Sequence, residues 1–258
     1  MRIATWNVNS IRARQDRLLA WLAKQAPDVL CLQETKVEDA GFPFEALRAA
    51  GYYAVVHGQR TYNGVAILAR EEPREVVAGL GDGADDAQAR LLSARVAGGL
   101  RVLSVYVPNG DTVGSEKWRY KLEWLRRLRA RLDAHHTPGE PLLVCGDLNV
   151  ARDEGDVAHP DRWAESVLFH PEARAALESV RSFGLVDVFR QIHPEGGIYS
   201  WWDYRMLAFP KNDGLRIDHL LATQGLAGRC TDARVDRDER KGKGASDHAP
   251  VVASFEWP

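Results

Sequence analysis

Three cysteines, an odd number, are too few for a disulfide framework in a chain of 258 residues. Cys31 and Cys145 lie inside apolar runs, where a free thiol behaves as a small buried hydrophobe, so the expected setting is reducing and cytoplasmic. No apolar stretch approaches the roughly 18 residues that cross a membrane. The opening residues, Met-Arg-Ile-Ala-Thr-Trp-Asn, carry no apolar signal segment. Excess charge is lacking too: a formal net charge of −2 gives no global pull on a polyanion, so any such site must be a local patch. Also missing are G-x-S-x-G, Walker A and G-x-G-x-x-G patterns, which removes three common readings of an α/β enzyme.

What is present is a recurring pattern, a short apolar run with a polar residue at its edge. Residues 142–145 have the composition of a strand buried on both faces. The run is expected to break at Gly146 and to present Asp147 and Asn149, two apart and so on one face. Residues 3–6 end at Asn7, and residues 29–32 deliver Gln33, Glu34 and Thr35. Residues 91–96 and 102–107 predict a hairpin across Gly98-Gly99 that delivers Tyr106 and Asn109. Residues 217–222 carry Asp218, and residues 251–255 follow Ser246-Asp247-His248. Two more strands are expected at 55–56 and 65–68, split by a polar turn.

Between these runs lie helical patterns. Asn9 or Ser10 can cap a helix that buries Ile11, Leu18, Trp21 and Leu22 and stops at Pro27. Shorter helices are expected at 44–50 and 171–183. Residues 115–134 form the longest pattern, with Trp118, Leu122, Leu125 and Leu132 on one face. Lys117, Arg119, Lys121, Arg126, Arg127, Arg129 and Arg131 load the remainder, as either a solvated face or a phosphate-contacting one. The Gly/Asp-rich loop at 79–86 fits no calcium-loop spacing and reads as a solvated turn. With no linker or repeat, the chain reads as a single domain, 1–258. Its irregular alternation of strands and helices favours packed sheets with outer helices.

Asn7, Glu34, Tyr106, Asp147, Asn149, Asp218, Asp247 and His248 each have a bland explanation singly, as caps, turns or solvated strand ends. Converging carboxylates, however, repel one another and raise each other's pKa unless a cation meets them. An all-oxygen set selects Mg²⁺ or Mn²⁺ over zinc. A hard cation beside carboxylates, amides, a phenol and a carboxylate-held histidine suits phosphoryl chemistry.

The motifs Trp-Asn-Val-Asn at 6–9, Leu-Gln-Glu-Thr-Lys at 32–36, Tyr-Val-Pro-Asn-Gly at 106–110 and Gly-Asp-Leu-Asn at 146–149 run in order along the chain. Ser-Trp-Trp-Asp-Tyr-Arg at 200–205, Gly-Leu-Arg-Ile-Asp at 214–218 and Ser-Asp-His-Ala-Pro at 246–250 continue the series. Together they resemble the exonuclease III class of apurinic/apyrimidinic endonucleases. That resemblance implies an α/β fold: a four-layer α/β sandwich, two mostly antiparallel sheets face to face with helices outside. It also implies Mg²⁺-dependent cleavage of double-stranded DNA 5′ to an abasic site, with activity on blocked 3′ ends, by a monomer that needs no membrane. Glu34 is then the principal metal ligand, with Asp247, Asn7, Asp147 and Asn149 beside the metal. Asp147 positions or activates water, Asn7 and Asn149 organise it, Tyr106 contacts the phosphate, and His248 pairs with Asp218. Trp201, Leu215 and Ile217 match the pocket for an extrahelical sugar; the 205–212 loop, with Met206, Phe209 and Lys211, could wedge into the duplex as apolar side chains do elsewhere. One departure is Asp213, where relatives often carry a basic residue; a negative charge there would weaken a phosphate contact. A phospholipid or inositol phosphate phosphoesterase would share the metal site, whereas a non-catalytic DNA-binding protein of this fold is expected to have lost the carboxylates, all of which are present.

Overall fold

Twelve strands form two six-stranded sheets in the computed structural model, which describes residues 1–84 and 86–257. Numbered along the chain, the first sheet runs β11 (Cys230–Val235), β12 (Val251–Phe255), β1 (Arg2–Asn7), β2 (Val29–Gln33), β4 (Val65–Ala69), β3 (Tyr53–His57). The second runs β5 (Arg74–Ala78), β6 (Leu91–Arg95), β7 (Arg101–Tyr106), β8 (Leu142–Asp147), β10 (Asp218–Thr223), β9 (Leu185–Asp187). Each sheet has one parallel pair at its centre, β1–β2 and β7–β8; every other pairing is antiparallel. A parallel pair needs a long crossover. Helix α1 (Ile11–Gln25) supplies the first, and α3 (Glu116–His135) the second. The other helices are α2 (Phe44–Ala49), α4 (Pro160–Trp163), α5 (Pro171–Arg181), α6 (Val188–Ile192), α7 (Ala208–Lys211) and α8 (Gln224–Ala227).

Alternation along the strands explains the layers. Ile3, Val29, Cys31 and Ile67 face Val102, Leu143, Cys145 and Leu220 across the space between the sheets. Their neighbours point outward: Trp6, Leu30 and Leu32 pack on Ile11, Leu18, Trp21 and Leu22 of α1. On the opposite side Leu103, Val105 and Val144 pack on Trp118, Leu125 and Leu128 of α3 and Leu177 of α5. Both faces of β8 are therefore dry, and the order helix, sheet, sheet, helix is the expected four-layer α/β sandwich.

Two expectations need correction. The central strand does not break at Gly146; β8 continues through it to Asp147. Gly146 has φ +146°, and a Cβ there would lie 1.9 Å from the Val105 carbonyl oxygen, so a glycine is what lets β8 lie this close to β7. Most of the basic helix is not a free phosphate-contacting face. Lys121 and Arg131 turn into the interior, Arg127 binds Asp82 and Asp86, Arg126 binds Glu123, and Arg129 binds Asp133. The buried face of α3 accordingly includes Lys121, Trp124 and Leu128, while Leu122 is only half-buried. The 79–86 loop is a turn whose Asp82 and Asp86 are spent on Arg127; Asp85 lies outside the described residues.

Beneath the strand ends sits a buried ion network. The Arg216 guanidinium has no exposed surface and spans Asp156 (Nε–Oδ1 2.7 Å, Nη2–Oδ2 2.9 Å) and Asp187 (Nη2–Oδ2 2.7 Å). It thereby ties the loop after β8 to β9 and to the start of β10. Burial alone would raise Asp187, but the Arg216 charge outweighs it and holds that carboxyl well below the usual range. The stabilisation is complete above the unfolded carboxylate pKa of about 3.9, and it is lost as pH falls through the depressed folded value.

Two outcomes are expected in thermal and urea unfolding. Gly146→Ala should destabilise the fold by several kcal/mol or abolish soluble expression, because backbone cannot yield to the added methyl. Arg216→Met should cost about 3–5 kcal/mol by leaving two buried carboxylates unpaired. A melting temperature unchanged in either variant would contradict the packing described.

Candidate active site

The C-terminal ends of β1, β2, β7 and β8 meet at one edge of the space between the sheets. Asn7 closes β1 and is fully buried. Its Nδ2 donates to Glu34 Oε1 at 2.8 Å and to Asp147 Oδ2 at 2.9 Å, so one amide nitrogen joins carboxylates carried by different sheets. Tyr106, at the end of β7, donates its hydroxyl to the same Glu34 Oε1 at 2.9 Å. Glu34 Oε2 faces the Lys36 ammonium at 2.8 Å.

Local backbone conformation aims these groups. Asn9, Glu34, Lys36 and Asn149 all have positive φ, between 45° and 54°. Such left-handed positions cost roughly 1 kcal/mol or more for a residue with a Cβ and persist only where surroundings hold them. Here the Ser10 N–H donates to the Glu34 carbonyl at 2.7 Å, and the Asn149 N–H donates to Asp147 Oδ1 at 2.9 Å. Asn149 thus meets Asp147 through a tight turn past the end of β8, not by alternation along the strand. Its Nδ2 donates to the Val107 carbonyl at 2.9 Å, and Asn109 Nδ2 donates to its Oδ1 at 3.1 Å.

His248 enters from the segment before β12. Its Nδ1 lies 2.8 Å from Asp218 Oδ2, which also accepts from Ser200 Oγ at 2.6 Å, and its Nε2 lies 3.7 Å from Asp147 Oδ2. Burial works against the imidazolium, but the Asp218 and Asp147 carboxylates outweigh it and raise His248 to about 10. Burial pushes Asp147 up to about 7, with Asp218 and Glu34 adding to the rise and His248 and Asn7 opposing it. Glu34 goes the other way: burial would raise it, but Lys36 and the Asn7 amide lower it. Asp247 is lowered against its burial by His248, Trp201 and Asn9, accepting from Trp201 Nε1 and Asn9 Nδ2 at 3.0 Å each. Burial, reinforced by Glu34 and Asp147, keeps the Tyr106 phenol neutral, well above its ordinary value. The result is two carboxylates held ionised, Glu34 and Asp247, one poised near neutrality, Asp147, and one cationic imidazole.

Asp147, Asp218 and His248 offer ligand atoms within 4.8 Å of one another, a cluster that could bind a metal. His248 is engaged by Asp218 and held protonated, however, and an imidazolium has no lone pair to give. The oxygen-rich side, Glu34, Asn7 and Asp147, fits a hard cation better. There Glu34 already draws in a positive group, the Lys36 ammonium, and no thiolate competes.

All eight strand-end residues singled out from the sequence gather here, directly or through one partner. Trp201 adjoins them, half-buried, with isolated bridges to Leu215 and His248 and with Trp163 edge-on at 6.0 Å. Leu215 and Ile217 lie beneath it, at 0% and 1% exposure. The loop residues Met206 and Leu207 stand out, 80% and 67% exposed, while Phe209 packs against Trp202. Asp213 is countered locally by Arg162 at 2.8 Å, so its charge does not face outward unpaired. A cleft of about 590 Å³ opens beside Tyr106 and Asn109, lined also by Gln59, Tyr62, Arg90 and Lys117. Sequence reasoning passed over the roles of Lys36, Asn9 and Ser200, although each stands inside a quoted motif; only contact geometry separates them from their neighbours.

Comparison with known proteins places this geometry in context. A family model described as the endonuclease/exonuclease/phosphatase family matches residues 4–248. Exodeoxyribonuclease III of Haemophilus influenzae is 37% identical, the match covering 99% of this chain and 100% of that protein. Among solved structures, an AP endonuclease from Archaeoglobus fulgidus superposes with a TM-score of 0.96 at 43% identity, over 99% of both chains. The Neisseria 3′ phosphatase NExo, bound to a product DNA hairpin, gives 0.95 at 40% identity over the whole of both chains. The chain therefore belongs to the endonuclease/exonuclease/phosphatase family, as a hydrolytic nuclease akin to exodeoxyribonuclease III and the AP endonucleases.

Proposed function

We propose that this nuclease is a single-domain, Mg²⁺-dependent DNA repair enzyme that hydrolyses the phosphodiester 5′ to an abasic site and trims blocked 3′ ends. The observation that carries the reading is the Asn7 amide shared by Glu34 and Asp147, with the His248–Asp218 pair facing Asp147. Relatives named as AP endonuclease and 3′ phosphatase at comparable identity favour both activities. Glu34, with Asn7, Asp147, Asn149 and Asp247 nearby, would hold the cation, Mg²⁺ or Mn²⁺. When bound, the cation supplies charge stabilisation at the phosphate and at the leaving oxygen.

The chain's own groups do the rest. Asp147, raised to about 7, suits the capture of a proton from an attacking water, because a base works best with a pKa near the working pH. Its orientation is set by the Asn7 and Asn149 bonds. His248, held protonated, can donate from Nε2 to a non-bridging phosphate oxygen, and the neutral Tyr106 phenol and Asn109 amide can serve other phosphate oxygens. Each preorganised donor of this kind is worth on the order of 3 kcal/mol. The 590 Å³ cleft, with Arg90 and Lys117 on its walls, suits the flanking strand. Trp201, over Leu215 and Ile217, suits an extrahelical sugar that carries no base, and Met206 suits a wedge.

The test is an end-labelled duplex bearing one abasic site, incubated with and without Mg²⁺, reading product size and 3′ terminus. Cleavage 5′ to the site, abolished by EDTA and restored by Mg²⁺, is expected. Glu34→Ala and Asp147→Asn should each lower kcat by about a hundredfold or more while leaving circular dichroism unchanged. Trp201→Ala should raise KM for the abasic duplex more than it lowers kcat. Full activity in the Glu34 or Asp147 variant would reject the reading. So would hydrolysis of inositol phosphates or sphingomyelin without abasic cleavage.

A further inference from the structure

The Lys121 side chain has no exposed surface and forms no ion pair among the described residues. Its Nζ instead donates to three backbone carbonyls: Asn109 at 2.9 Å, Asn149 at 2.7 Å and Val167 at 2.5 Å. An ammonium has three protons and no acceptor, and three carbonyls match it fully. Those carbonyls come from three separate segments: the loop after β7, the turn after β8, and the stretch leading to α5. The first two carry the Asn109 and Asn149 side chains, which bond to each other at 3.1 Å, and Asn149 in turn holds Asp147. The loop wraps the lysine stem closely, since a Cβ on Gly110 would lie 3.0 Å from Lys121 Cδ.

A buried charge is a poor stabiliser. Its desolvation commonly cancels what its bonds return, and an apolar side chain of similar volume packs as well. Three carbonyls aimed at one nitrogen do, however, fix three segments relative to one another. We infer that Lys121 is a positioning residue, a buried hub that sets the Asn109 and Asn149 amides and the Asp147 carboxylate at their working distances from the reacting phosphate. The inference rests on the proposed role of that site. A displacement of about 1 Å at a reacting group can cost on the order of a hundredfold in rate.

The test compares Lys121→Met and Lys121→Arg with Arg131→Met, which removes a buried cation from the same helix, one bonded to the Leu80 carbonyl. Substrates are an abasic duplex and a duplex ending in a 3′-phosphate, with Mg²⁺; kcat, KM and melting temperature are read for each. Folded Lys121→Met should lose roughly ten- to a hundredfold in kcat with KM within about threefold. Arg131→Met should lower the melting temperature without that loss. Lys121→Met/Asn149→Ala should be slower than Asn149→Ala by less than the full Lys121→Met factor, because part of the lysine's effect runs through Asn149. If Lys121→Met does not fold, Lys121→Arg decides. A planar guanidinium cannot aim three protons at three carbonyls from one nitrogen, so its kcat should fall several-fold. Parental kcat in a folded Lys121 variant, a loss matched by Arg131→Met, or losses that multiply in the double variant would each overturn the inference. An unsubstituted enzyme inactive on both duplexes would instead strike the proposed function.

Discussion

One amide nitrogen, Asn7 Nδ2, lies within hydrogen-bond distance of carboxylates from two different sheets. Everything around it answers the problem this creates, namely keeping negative groups together away from water. The Lys36 ammonium offsets Glu34, the His248 imidazolium offsets Asp147 and Asp218, and Trp201 and Asn9 satisfy Asp247. Unpaired, such groups would simply take up protons. Paired in this graded way they end in different states, so the site holds both an acceptor and a donor of protons at neutral pH.

The scaffold makes that convergence unavoidable. A strand end at the middle of a sheet is fixed by neighbours on both sides, and two such ends in each sheet come from the parallel pairs. The Arg216 network then locks β9, β10 and the loop after β8 from below. Precision at the site comes from rigid strands, with short left-handed turns giving the final aim.

Much of this was legible in the residues because buried central strands leave a strong signal. The apolar runs at β1, β2, β4, β7, β8 and β12 and the apolar face of α1 were evident. Three of the four edge strands were not. β5 is exposed along its whole length and β11 is largely polar, so neither shows the contrast that marks a half-buried strand, and β9 has only three residues. The face of α3 was misjudged because Lys121 and Arg131 enter the interior, where composition alone predicts solvent. At the site, residue types announced themselves but distances did not. Lys36 and Asn9 look like ordinary loop residues until the coordinates set them against Glu34 and Asp247.

The two sheet orders, β11-β12-β1-β2-β4-β3 and β5-β6-β7-β8-β10-β9, share one wiring diagram if the chain is imagined as a ring. The N-terminal amino group already donates to the Phe255 carbonyl at 2.7 Å, so the ring is nearly closed in space. Cut instead between β4 and β5, the same strands would read as two successive six-strand halves of identical connectivity. One half would contribute Asn7 and Glu34, and its counterpart Tyr106 and Asp147. The site then lies at the junction of two like modules, each bringing half of an asymmetric outfit.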